Sequence, residues 1–196
     1  MNKGLLVISI CLLFFQCDFG KDSLPANSQL LRNIDISLSP DSVTPWAPVA
    51  NEGFSLGVSQ ETFLSGNRSL FIENQDSLNI NAALWRQTYD GPMPAEGRRL
   101  TLRAHLKGEN IELKSPGSNI YISIRMFPVE DSEGTTINRF LSSQNRFRVF
   151  GTFDWEPLAI TLPSFPKDVE YITVYMVMGP KTIGKVYFDD ITLTVE

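Results

Sequence analysis

Two adjacent carboxylates, Asp189 and Asp190, sit inside the closing run Lys185-Val-Tyr-Phe-Asp-Asp-Ile-Thr-Leu-Thr-Val195, which is otherwise apolar, β-branched and aromatic. Side chains alternate across a strand, so one of the two acids points toward packed structure unless the strand is bulged or lies at an edge. A buried carboxylate needs a cation, an Arg or a cluster of backbone N–H groups to offset the loss of water. A second set of residues has the chemistry of a binding surface, in which flat rings stack on a ligand's apolar face and planar polar groups hydrogen-bond beside them. Trp85, Tyr89, Tyr121, Phe127 and Trp155 are candidate platforms, with Arg86, Gln87, Arg103 and Arg125 as candidate polar partners. Alternation puts Trp85, Gln87 and Tyr89 on one strand face and Tyr121 with Arg125 on another. If those two faces coincide, the five residues line a groove. For each aromatic taken singly, burial in the core is the competing fate.

Signals for catalysis are weak. His105 is the only histidine, and no cysteine pair accompanies it, so a multi-His or Cys/His metal site is excluded. The sequence has no Gly-x-Ser-x-Gly elbow, no HExxH pair and no phosphate-cradling glycine loop. The acids of Glu130-Asp-Ser-Glu133 cluster in a turn-like segment, where solvation explains them. The chain is expected not to be an enzyme.

Short alternating runs must position these groups. The clearest are Ser69–Glu73, Ala82–Tyr89, Arg99–Lys107, Asn119–Phe127, Arg146–Phe150, Glu156–Leu162, Tyr171–Met178 and Lys185–Val195; weaker ones are Asn33–Leu38, Phe54–Val58 and Gln60–Phe63. Gly, Pro, Asn and Ser clusters separate them, and helical stripes are nearly absent. The expected fold is all-β, a two-sheet antiparallel β-sandwich of jelly-roll type. Within Asn119–Phe127, Ile120, Ile122, Ile124 and Met126 make a core face. Tyr121, Ser123, Arg125 and Phe127 make the other, either an outer surface that binds something or a sheet face that is covered. Pro128–Asn145 is the longest stretch without a strand pattern.

The amino-terminal segment is organised differently. Lys3 supplies a basic start, and Gly4–Phe15 is an apolar stretch too short to span a bilayer but suited to a signal peptide. Cys17 closes that stretch in a manner that resembles the lipobox of bacterial lipoproteins, although Gln16 is larger than the residue usual there. The expected layout is a signal peptide over 1–16, a lipidated Cys17 with a tether over 17–29, and one domain over 30–196. The other reading leaves Cys17 incidental and the chain secreted. With Cys11 inside the signal, no internal disulfide is available, and the core alone must stabilise the domain. A net charge of −5 argues against nucleic acid as a partner.

Leu31-Arg-Asn33, Trp46, Ser65-Gly-Asn-Arg-Ser-Leu70, Trp85-Arg-Gln87, Leu100-Thr-Leu-Arg-Ala-His-Leu-Lys107, Phe153-Asp-Trp155 and Tyr187-Phe-Asp-Asp-Ile191 follow one another in an order that resembles carbohydrate-binding modules of the family 4, 9 and 22 type. That resemblance, over about residues 30–196, implies a galactose-binding-like jelly roll. It also implies a structural Ca2+ held by Ser37, Asn67 and the Asp189/Asp190 pair, although the family usually has Glu where Ser37 stands. The alternative is an Asp satisfied by backbone N–H groups with no ion. The resemblance implies a non-catalytic, monomeric carbohydrate-binding module, and together with the amino-terminal segment the expectation is an exported lipoprotein that binds carbohydrate at a bacterial cell envelope, on the outer membrane or surface. An envelope protein as partner, with no sugar site, is the other expectation.

Overall fold

In two central segments, every second residue is apolar and buried: Ile120, Ile122, Ile124 and Met126 in one, Ile172, Val174, Met176 and Met178 in the other. A period of two with one apolar parity is the pattern of a strand whose inner face meets a core. The computed structural model describes residues 24–144 and 146–196. The signal segment, Cys17 and the first part of the tether therefore lie outside the described residues.

Among the described residues the chain forms ten strands and no helix: β1 (Ala47–Val49), β2 (Phe54–Ser59), β3 (Ser69–Asn74), β4 (Ala83–Tyr89), β5 (Leu100–Leu113), β6 (Ile120–Phe127), β7 (Phe140–Ser142), β8 (Gly151–Leu162), β9 (Tyr171–Met178) and β10 (Thr182–Val195). They make two five-stranded antiparallel sheets, ordered β1-β4-β9-β6-β7 and β2-β3-β10-β5-β8. The expected all-β jelly-roll sandwich is thus what the chain folds into. Its core is the layer between the sheets, where the inner residues of β6 and β9 share one cluster with Leu70, Ile72, Leu102, Leu106, Phe188 and Leu193 of the other sheet. Each such side chain contributes about 1.5–3 kcal/mol by leaving water.

Several local expectations change. Asn33–Leu38 is not a strand but a sequence of turns, with Asn33 and Ile36 at φ 52° and 57°. The Asn33 side chain organises them, its Nδ2 donating to the Val43 and Thr44 carbonyls at 3.1 and 3.2 Å and its Oδ1 accepting from Leu38 N–H at 2.8 Å. Gln60–Phe63 bends rather than extends, with the Ser59 hydroxyl accepting from Thr62 N–H at 2.9 Å. Arg146–Phe150 is also irregular, and the sheet edge is supplied instead by the three-residue β7 inside Pro128–Asn145.

The long closing strand β10 is not regular throughout. Its pairing with β5 slips at Ile183/Lys185 and again at Asp189/Thr192. At the first slip Gly184 has φ 104°, and a Cβ there would lie 2.5 Å from the Asn110 carbonyl oxygen, so only glycine fits. The entering chain runs antiparallel beside the last residues of β10: Asn27 N–H donates to Val195, Leu30 N–H to Leu193, and Val195 N–H back to Ser28, at 2.7, 2.9 and 3.0 Å.

Candidate functional site

The second slip in β10 explains the acid pair. One extra residue between Asp189 and Thr192 makes a bulge, with Asp190 at φ 47°. Val186 and Phe188 face the core before it, and Ile191, Leu193 and Val195 after it, so the buried parity changes across the pair. Asp189 is itself fully buried. Its Oδ2 accepts from Leu64 and Ser65 N–H at 2.7 and 3.1 Å, and its Oδ1 from Asp190 N–H at 2.8 Å. Loss of water pushes its pKa up to about 6 despite those three donors. Asp190 accepts from the Ser65 hydroxyl and lies 3.9 Å from His105 Nδ1.

Neighbouring loops close the same corner. Asp35 accepts from the Ser37 hydroxyl at 2.6 Å and from Ser37 N–H at 3.3 Å, and the hydroxyl is the main reason its pKa falls below the usual carboxylate range. Gly66, at φ 62°, brings its turn so close that a Cβ would sit 2.8 Å from the Asp35 carbonyl oxygen. Beside it, the buried Arg68 guanidinium donates to the carbonyls of Ile36, Pro40 and Ser42 at 2.6, 2.8 and 3.2 Å, and to that of Ser39. A rigid planar fork suits this grip on several carbonyls of one loop.

The side chains expected to hold Ca2+ have other engagements in this corner. Both Asp189 oxygens already accept backbone N–H groups, the Ser37 hydroxyl is turned to Asp35, and Asn67 is exposed on its turn. Among the described residues no three His, Cys, Asp or Glu side chains are grouped to share an ion. Ca2+ needs six to eight oxygens directed inward. Backbone N–H groups of Leu64, Ser65 and Asp190 thus serve the Asp189 carboxylate.

The outer face of the β1-β4-β9-β6-β7 sheet is built differently. The registers place Leu84, Val177 and Tyr121 in one row across it, then Arg86, Tyr175 and Ser123, then Thr88, Thr173 and Arg125, and finally Tyr171 beside Phe127. Phe140 and Ser142 extend the rows of Arg125 and Ser123 at the β7 edge. Contacts agree with the rows: the Thr88 and Thr173 hydroxyls are 3.0 Å apart, and the Phe127 and Tyr171 rings stack at 4.5 Å with 9° between planes. The Arg125 guanidinium lies 5.4 Å from the Phe127 centroid. Arg86 and Arg125 are exposed, while Tyr121 and Tyr175 are half-buried. Burial pushes the Tyr121 phenol up, so it remains a neutral donor and acceptor.

Of the five residues expected to line a groove, Tyr121 and Arg125 share this face. Trp85, Gln87 and Tyr89 do not, because β4 presents them to the interior and turns Leu84, Arg86 and Thr88 outward. Trp85 and Gln87 are buried; the indole donates to the Phe71 carbonyl at 3.0 Å, and the Gln87 amide pairs with both backbone groups of Arg32 at 2.8 and 2.9 Å. Tyr89 packs against the core edge with its hydroxyl donating to the Pro92 carbonyl at 2.7 Å. Arg103 on β5 and Trp155 on β8 belong to the other sheet. Tyr171 and Tyr175 went unrecognised from sequence, although their parity opposite Ile172, Val174 and Met176 marks them as outward.

No family model matches the chain, and no curated protein is significantly similar to it. Solved structures do share its fold. The CBM22-1 xylan-binding domain of Paenibacillus barcinonensis Xyn10C is 11% identical with a TM-score of 0.55, over 88% of this chain and 97% of that domain. The Stig cyclase Fisc of Fischerella sp. TAU, in complex with an indole compound, is 14% identical with a TM-score of 0.60, over 87% and 98% of the two chains. The enzymatically active domain of bacteriophage CBA120 tailspike protein 4 is 12% identical with a TM-score of 0.60, over 86% of this chain. This chain spans 21% of that tailspike domain's length. At these identities the likeness is one of fold.

Proposed function

We propose that the chain is a non-catalytic carbohydrate-binding module, and that glycan lies across the outer face of the β1-β4-β9-β6-β7 sheet. The observation that carries this reading is that half-buried Tyr121, Tyr175, Tyr171 and Phe127 share this one sheet face with exposed Arg86 and Arg125. Rings supply stacking surfaces, and the exposed Arg86 and Arg125 guanidiniums and the exposed Thr88 supply hydrogen bonds to hydroxyls. The shared fold with a xylan-binding domain supports the same reading. The outward residues of these strands include no Asp, Glu or His, so no acid–base pair faces the glycan, which supports a binding role over a reaction. Exposed stacking with few ordered contacts corresponds to about −4 to −6 kcal/mol, millimolar to tens of micromolar affinity.

The proposed setting is a monomeric lipoprotein exported by a bacterium, with acyl chains on Cys17 holding the module at the cell envelope. Its support is the apolar segment ending at Cys17 in the sequence. Labelling with a palmitate analogue separates the wild type from Cys17→Ser, and equal labelling removes the anchor. Calorimetry against plant, microbial and host polysaccharides tests the glycan reading. Silence across the panel, with capture of an envelope protein that sugars do not compete away, would replace it by a protein-binding role.

A further inference from the structure

We infer that the glycan this face takes is anionic, a polymer with repeated carboxylate or sulfate groups; this rests on the glycan reading and narrows it. Although the whole chain is acidic, with a net charge of −5, the outward positions of β1, β4, β9, β6 and β7 hold two guanidiniums and no carboxylate. Among the described residues neither the Arg86 nor the Arg125 side chain makes an ion pair or a hydrogen bond; exposed Arg103 on the other sheet is likewise unpaired, but only Arg86 and Arg125 share one sheet face with a set of aromatic rings. What distinguishes this surface is that its outward strand positions carry two cations and no carboxylate.

Arg125 is held without an acid. The Phe127 ring beneath it is itself fixed by stacking on Tyr171, so the guanidinium is oriented by an aromatic pair while its N–H donors stay open. The hollow at its side is lined by Val129, Thr136, Ile137, Asn138, Arg139 and Phe140, again without an acid. Nearby Asp131 is turned into its own loop, accepting from Glu133 and Thr135 N–H at 2.9 and 2.8 Å.

The spacing favours a polymer over a single small anion. Arg86 and Arg125 stand on strands flanking β9 and are offset by two residues, which sets their Cα atoms about 12 Å apart. Tyr175 and Thr173 lie between them. A chain that stacks one ring on Tyr175 thus presents acidic groups to both sides of it, and each guanidinium makes a planar, two-pronged contact.

The test compares binding of the full chain to polygalacturonate and alginate as carboxylate probes, chondroitin sulfate and carrageenan as sulfate probes, and xylan and galactan as neutral ones. Calorimetry or affinity electrophoresis is run at 50 and 500 mM NaCl. The expected result is at least tenfold preference for one acidic class, weakened by salt, and lost at least tenfold in Arg86→Gln/Arg125→Gln. Arg103→Gln, on the other sheet, serves as the charge control and leaves binding intact. Melting curves of the variants confirm that the fold persists. Equal or better binding of neutral polymers overturns the anionic specificity and leaves the glycan reading standing. Acidic binding unchanged in the double variant places the contact elsewhere and also overturns it. Binding to none of the six polymers overturns the glycan reading itself.

Discussion

The β10 corner and the outer face of the β1-β4-β9-β6-β7 sheet use the same kinds of side chain to opposite ends. At the corner, Arg68 and Asp189 are buried and their polar atoms are engaged almost wholly by backbone: carbonyls for the Arg, N–H groups for the Asp. On the face, Arg86 and Arg125 are exposed and have no protein acceptor among the described residues. A charged group surrounded by fixed backbone dipoles stabilises a loop, whereas one left open on a rigid sheet is available to a ligand. Position of a charge in a sequence motif therefore says less about its role than what has already claimed its hydrogen bonds.

The sharpest way to break this contrast is to remove Arg68. Arg68→Met leaves several carbonyls of the 36–42 loop without a donor, and should cost about 3 kcal/mol, lowering the melting temperature by about 10 °C. A melting curve within a degree or two of wild type would show that the guanidinium is not what holds the loop. Next in size is the pH response of Asp189. Its folded pKa of about 6 lies above the ordinary 3.8, so between those values the native state keeps a proton that the unfolded chain has released. The stability this supplies is complete below about pH 3.8 and lost as pH rises through about 6, by at most about 3 kcal/mol. Denaturation of wild type and Asp189→Asn across pH 4–7 should show a downward slope with rising pH that is reduced in the variant.

Smaller effects belong to the face and to metal. Tyr175→Ala should weaken glycan binding about fivefold, the loss of about 1 kcal/mol of stacking, while barely moving the melting temperature. A large loss of stability with unchanged binding would assign Tyr175 to the structural side of the comparison. Least of all, a chelator should leave the melting curve where it was. A downward shift would mean that an ion binds after all, because a ligand of the native state alone adds RT ln(1 + [L]/Kd).

Period-two patterning makes the sandwich readable from sequence, and the parity of Ile120–Phe127 puts Tyr121 and Arg125 on the correct side. The same rule misplaces Trp85, Gln87 and Tyr89 because in β4 both parities are mixed, Trp and Gln against Leu, Arg and Thr, and alternation alone does not say which side is inside. What decides it is Gln87 pairing with Arg32, 55 residues away in sequence, a contact that no local pattern encodes. Strands as short as β1 and β7 carry too few residues to show a period, and Asn33–Leu38 looks extended because its left-handed turns at Asn33 and Ile36 lack glycine. The bulge at Asp190 is foreshadowed by two acids interrupting an apolar run, but the loop N–H groups that serve Asp189 come from Leu64 and Ser65, more than a hundred residues earlier.

The alignment of residues 27–30 beside the end of β10 has a mechanical consequence. Tension drawn through residue 24 along that direction loads the bonds to Leu193 and Val195 together, in shear, rather than unzipping them one at a time. The side chains interdigitated between the two sheets, the inner residues of β10 among them, spread that load into the core.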